Sequence, residues 1–171
     1  MNIYIEGYYG IQNLGDDYIL MSILSSLSKV PNDKIDIVAI VSLGDDYNQL
    51  FSLFPNLHCT TIKTQKARRK QLFSKKTYIF GGGGLFPTDN WKLYIKLFCK
   101  VMINKIMGGK NIVYGIDLCK LNGIISKQIW RCISYIVDVI VVRNKLSFQL
   151  LENAGIKDKV YYFPDVTFAL D

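Results

Sequence analysis

Two glycine-rich turns carry the residues best suited to chemistry in this chain. They are Gly7-Tyr8-Tyr9-Gly10-Ile11-Gln12-Asn13-Leu14-Gly15-Asp16-Asp17 and Gly81-Gly82-Gly83-Gly84-Leu85-Phe86. Each follows a short apolar run, Ile3-Tyr4-Ile5 or Tyr78-Ile79-Phe80, and each precedes a helical pattern. Glycine lets the backbone turn at positive φ and lets a ligand approach the main chain. At a strand-to-helix junction it also bares amide N–H groups at the positive end of a helix dipole, where anions bind. Two such turns on the same edge of one sheet make an anion-binding crevice. The expected ligand is therefore a phosphorylated or carboxylated small molecule.

The glycine spacing excludes the commonest phosphate-binding loops. Gly7, Gly10 and Gly15 do not fit the G-x-G-x-x-G fingerprint, and the second apolar run ends at Val41-Ser42 where a ribose-binding acid would stand. No Gly-Lys-Ser/Thr follows either turn, so neither is a Walker A loop. The four cysteines, Cys59, Cys99, Cys119 and Cys132, show no Cys-x-x-Cys spacing and His58 is the single histidine, which argues against a zinc site. Buried free thiols in a reducing cytosol are the expectation, and no cofactor or metal is called for. A net charge of +7 points to acidic partners. Nucleic acid is not expected, because no aromatic-basic motif of the RNA or DNA modules is present.

These residues need a frame. Apolar runs recur at Asn2–Glu6, Ile35–Val41, Leu57–Ile62, Thr77–Phe80, Asn111–Tyr114, Asp138–Val142 and Val160–Phe163, mostly continuous rather than alternating. That pattern fits strands of a parallel sheet buried on both faces. Between them, Ile19, Leu20, Ile23, Leu24 and Leu27 share one helical face behind Asp16 and Asp17. Further helices are expected over Trp91–Met107 (stopped by Gly108-Gly109), Lys127–Tyr135 and Asn144–Asn153. The alternation predicts an α/β fold: a Rossmann-like, doubly wound, mainly parallel sheet over residues 1–163. Residues 164–171 read as the start of a linker, so the chain looks like one lobe of two. The start lacks a basic n-region, and Ile129 to Val142 falls short of a bilayer span, so neither a signal peptide nor a transmembrane helix is expected.

The order of several short motifs is more specific than any one of them. Gly7–Asp17, with its Gly-x-x-Asn-Leu-Gly-Asp-Asp core, is followed by Gly81-Gly82-Gly83-Gly84-Leu85, Tyr114-Gly115-Ile116, Val141-Val142-Arg143, Gly155-Ile156 and Phe163-Pro164-Asp165. Together they closely resemble the polysaccharide pyruvyl transferase family along the whole chain. The resemblance implies transfer of the enolpyruvyl unit of phosphoenolpyruvate onto two sugar hydroxyls, leaving a pyruvate ketal and free phosphate. It implies a GT-B-like architecture with the site between two lobes, of which this chain is the N-terminal one. It also implies a cytoplasmic enzyme of exopolysaccharide or cell-wall biosynthesis, inactive as this lobe alone. The catalytic acid–base histidine is then expected in the second lobe, which could be a separate partner chain. Two departures stand out: Asn144 where the family often has an acid, and Gly84 where serine or threonine is common. The alternatives are a truncated, non-catalytic ligand-binding domain or a GT-B-like glycosyltransferase lobe.

The substrate-binding candidates are Gly7, Gly10, Asn13, Gly15, Asp16, Gly81, Gly82, Gly83, Gly84 and Arg143. Arg143 follows an apolar run and opens a helix, where α/β sheets bind ligands, and its planar fork suits a carboxylate or phosphate. By resemblance it matches the family's phosphoenolpyruvate-binding arginine. The competing role is a pair with an acid such as Asp165. Asn13 and Asp16 either contact sugar hydroxyls or cap the first helix. Asp117 is a candidate rim residue, and His58, at the start of a middle strand, is expected on the far edge and structural. Two basic features suit an anionic membrane surface carrying a lipid-linked saccharide acceptor, or else are simply solvated: the run Lys63, Lys66, Arg68, Arg69, Lys70, Lys75 and Lys76, and the stripe Lys92, Lys96 and Lys100. A peripheral position at the inner face of the plasma membrane would follow.

Overall fold

Residues 2–7, 9, 14–30, 36–40, 47–61, 73–81 and 89–163 are described by the computed structural model. Among them lie seven strands: β1 (Asn2–Glu6), β2 (Asp36–Ile40), β3 (His58–Thr61), β4 (Thr77–Gly81), β5 (Lys110–Ile116), β6 (Val139–Val142) and β7 (Val160–Tyr162). They form one sheet in the order β3-β2-β1-β4-β5-β6-β7, and every neighbouring pair is parallel. The chain winds outward from β1 in one direction and from β4 in the other. The reversal between β1 and β4 is the switch point at which α/β sheets open a crevice.

Helices cover both faces. The helices are α1 (Leu14–Ser28), α2 (Tyr47–Ser52), α3 (Trp91–Ile106), α4 (Ile124–Ile136) and α5 (Lys145–Asn153). Side chains alternate across each strand, so one register feeds two cores. Ile3, Ile5 and Ile79 pack with Ile19, Leu20, Ile23 and Leu24 of α1. Tyr4, Tyr78, Val113 and Ile140 pack on the other side with Tyr94, Leu97 and Val101 of α3 and Trp130 and Ile133 of α4. Both faces are apolar because both are covered, which is why the strands read as continuous hydrophobic runs.

Most expected elements recur within a few residues, and the differences have local causes. Helix α3 ends where Gly108 takes φ 77° and the Gly109 N–H donates to the Asn104 carbonyl at 2.8 Å. A Cβ at Gly109 would lie 2.3 Å from Asn104 Oδ1, so glycine is required there. The Asn104 amide in turn donates to the Lys76 carbonyl at 3.2 Å and the Lys110 carbonyl at 2.9 Å. Helix α4 starts at Ile124, ahead of the expected Lys127, because the Asp89 carboxylate accepts from the N–H groups of Asn122 at 2.9 Å and Gly123 at 2.6 Å. Strand β5 runs past Tyr114 through a register shift at Gly115, whose φ of 63° suits glycine. The six-residue α2 was not foreseen, and His58 opens the outermost strand rather than a middle one.

A lysine is buried in the α3-side core. Lys76 is 5% exposed, and its ammonium lies 4.8 Å from the centre of the Tyr4 ring. Tyr4 packs on Tyr78 with ring centres 5.5 Å apart, and the Tyr78 hydroxyl donates to Glu6 Oε2 at 2.7 Å. Glu6 is also paired with Lys100. Burial draws the Lys76 pKa down to about 8, against an upward pull from Glu6. The folded state thus disfavours the charged amine. That penalty is full below about pH 8 and fades as pH rises toward 10.5, the ordinary value. Lys76→Met should therefore be more stable than the parent by about 1–2 kcal/mol near neutral pH. The difference should shrink by about pH 9.5, measured by urea denaturation at both pH values. A difference independent of pH would show that burial of the charge is not the cause.

Candidate functional site

The two glycine turns meet at the switch point. Gly7 follows β1 and Gly81 ends β4, and β1 and β4 are neighbours in the sheet. A Cβ on Gly7 would lie 2.0 Å from the Gly81 carbonyl oxygen and 2.5 Å from Tyr9 Cζ. A Cβ on Gly81 would lie 2.8 Å from the Tyr114 carbonyl oxygen. Neither position has room for a side chain, because the ends of β1, β4 and β5 and the Tyr9 ring converge there. The N-terminus of α1 opens beside them, with its first amides unsatisfied by the helix itself.

Tyr9 is the residue that sequence reasoning passed over. It is 1% exposed, and its hydroxyl has no hydrogen-bond partner among the described residues. Burial raises its pKa far above the ordinary phenol value, reinforced by the charges of Asp16, Asp17 and Tyr114. The group is therefore a neutral donor at any physiological pH. Its only advance signal was an aromatic residue inside a glycine turn. Asp16 lies in the first turn of α1 with Asp17, as expected, and Gly15 lies in that turn too. Asp16 is 4% exposed, so it does not stand on the rim, and Asp17 accepts a hydrogen bond from the Tyr47 hydroxyl. Gly10, Asn13, Gly82, Gly83 and Gly84 lie outside the described residues.

Arg143 does stand on the same edge, just after β6. Among the described residues the acid that pairs with it is Asp117, just after β5; Asp165 lies outside them. Asp117 takes the Nε and Nη2 side of the guanidinium, leaving Nη1 without a partner among the described residues. Asn144 holds the other carboxylate oxygen, donating from Nδ2 to Asp117 Oδ1 at 2.5 Å. Its own Oδ1 accepts from the Ser147 N–H at 2.7 Å and so caps α5. Ser147 Oγ accepts from the Leu118 N–H at 2.8 Å, closing the link back to the β5 loop. An acid at position 144 would still cap the helix but would repel Asp117, so the asparagine fits this particular carboxylate. The outcome is a fixed ledge, Asp117–Arg143–Asn144, about 10 Å from β4 at the usual strand spacing.

Other candidates fall away from this edge. His58 is exposed at the start of β3, at the opposite end of the sheet. Lys76 and Lys100 are drawn inward by Tyr4 and Glu6, so neither belongs to a solvated stripe. Lys63, Lys66, Arg68, Arg69 and Lys70 lie outside the described residues. A groove of about 580 Å³ between α5 and β7, flanked by Phe148 and Tyr161, is three strands from β4. Of the four thiols, Cys59 is half-buried while Cys99, Cys119 and Cys132 are exposed, contrary to the expectation of burial. Among the described residues no helix is long and apolar enough to cross a membrane.

A family model described as Polysaccharide pyruvyl transferase matches residues 13–171. A comparison with curated proteins finds no match for the chain.

The convergence at Gly7 sets a direct test. Gly7→Ala places a methyl group against backbone, which cannot rotate away as a side chain can. The expected loss is about 3 kcal/mol. That is a fall of about 10 °C in melting temperature for a domain of this size, read by circular dichroism. An unchanged melting temperature would mean that the β1 and β4 ends do not meet as described.

Proposed function

Because the chain belongs to the polysaccharide pyruvyl transferase family, we propose that it forms the N-terminal, substrate-binding lobe of an enzyme that moves pyruvate from phosphoenolpyruvate to a saccharide as a ketal. The observation that carries this reading is the shared edge. The close-packed glycines Gly7 and Gly81 at the switch point and a fixed guanidinium stand on the same edge of one sheet. Phosphoenolpyruvate bears a carboxylate and a phosphate, and Arg143 offers a planar fork for either. The crevice beside Gly7 is different in character. Tyr9 stays a neutral hydroxyl there, and Asp16 and Asp17 make the surroundings negative. That setting suits a saccharide's hydroxyls better than a second anion. The spacing between β4 and β6 leaves donor and acceptor side by side.

In the reaction, one acceptor hydroxyl adds to C2 of the enol while the methylene carbon takes a proton and becomes a methyl. The second hydroxyl then displaces phosphate from the same carbon, and its proton passes to a base. Both steps need a group that gives and takes protons. Arg143 is held by Asp117 and is no such group. We place the acid–base residue in a facing second lobe, which would also exclude water from the reactive donor. Within this lobe the work is binding and orientation: Asp117 and Asn144 keep the Arg143 fork turned outward so that little reorganisation remains when the donor arrives.

Arg143→Lys tests the donor role, since an ammonium keeps the charge but loses the two-pronged grip. Phosphoenolpyruvate affinity, read by titration calorimetry, should fall about ten-fold or more, the loss of about one charge-assisted hydrogen bond. The melting temperature should move little, because the position is on the rim. Parent-like affinity in a folded variant would return Arg143 to a purely structural partner of Asp117.

A further inference from the structure

The outer surface of α3 and α4 is built differently from the rest of the protein. Lys100 of α3 is paired with Glu6 and Lys105 with Asp138, which leaves Lys92, Lys96 and Lys127 of the two helices and Lys120 ahead of α4 as basic residues here without a paired acid among the described residues. The same surface exposes large apolar side chains: Trp91 at 43%, Ile124 at 80% and Ile125 at 60%, with Ile95, Ile106 and Tyr135 also exposed. The two helices are neighbours in one layer. Asp89 and Asn90, at the start of α3, reach α4 through the bond from Asp89 to the Gly123 N–H. Trp91, Ile124 and Ile125 thus lie together at one end of the layer, with Lys92, Lys96 and Lys120 exposed around them.

From this we infer that the α3–α4 face is a docking surface for an anionic lipid bilayer. An interfacial helix pairs apolar side chains, often tryptophan, with lysines that meet the headgroups, and α3 has both on its outward side. With sixteen residues it extends about 24 Å, enough to lie along a membrane but not to cross it. Charge decides between occupants. Two copies of this face would bring like charges together, whereas anionic headgroups complement it. The helices that form it begin at the sheet edge bearing the crevice, so a protein seated this way holds that edge beside the bilayer. The inference does not depend on which reaction this edge supports.

The two tryptophans make the test specific. Trp130 is fully buried in the core, so any change of emission on lipid binding reports Trp91. The chain is mixed with vesicles of phosphatidylcholine alone or with phosphatidylglycerol, and partitioning is followed by sedimentation and fluorescence. Binding should require phosphatidylglycerol, shift the emission to the blue, and weaken as salt is raised. Lys92→Gln with Lys96→Gln should lower the partition coefficient about 25-fold, about five-fold for each charge. Ile124→Ser with Ile125→Ser, both exposed and harmless to the core, should lower it about ten-fold or more. No binding to the anionic vesicles would overturn the inference. So would binding that both pairs leave unchanged while Arg68→Gln, Arg69→Gln and Lys70→Gln abolish it. A concentration-dependent dimer that Ile124→Ser with Ile125→Ser dissolves would assign the face to a second copy instead.

Discussion

The close approach of Gly7 to Gly81 is the constraint from which the functional edge follows. Neighbouring parallel strands normally keep their side chains clear of one another by pointing them to the two faces. Here the chain leaves β1 and β4 with backbone against backbone and the Tyr9 ring wedged beside them. Any Cβ would push the strand ends apart and carry the start of α1 with them. The meeting of the two strand ends is therefore defined by missing side chains.

Around that constraint the edge divides by charge. Near β1 the surroundings are negative and a neutral phenol, Tyr9, is buried among them. Near β6 a guanidinium is held between a carboxylate and the start of α5. The second arrangement is rigid because each member is fixed by another: Asn144 caps a helix and grips Asp117, and Asp117 grips Arg143. The proposed function puts an anionic donor and a hydroxyl-rich acceptor on this edge, and its two unlike halves lie a few strand widths apart.

Much of this was legible in the sequence, and the reasons are specific. Continuous runs such as Ile3-Tyr4-Ile5 marked strands covered on both sides, and Gly108-Gly109 marked the end of α3. The glycine turns marked the switch point because only a backbone contact demands such residues. What escaped were features made by side chains meeting across the sheet. Lys76 looked like the end of a charged run until Tyr4 and Glu6 were seen to draw it inward. Arg143 had a nearby acid in the sequence, Asp165, but its partner came from the neighbouring strand, 26 residues away. Asp89 showed no pattern at all, since its targets are amides of a different helix. Periodicity reports what faces a core; it says nothing about which polar groups find each other.

The clasp at the end of α3 has a mechanical consequence. Asn104 fastens the last turn of that helix to the carbonyls beside β4 and β5, and Gly109 leaves no slack for it to slide. At the other end Asp89 ties the approach to α3 to the start of α4. Helix and sheet then behave as a braced beam, pinned at both ends instead of hanging by its loops. A force applied along the outer surface of α3 is carried into β4, the strand whose last residue is Gly81. A displacement of α3 is thus shared with the start of β4 at Lys76.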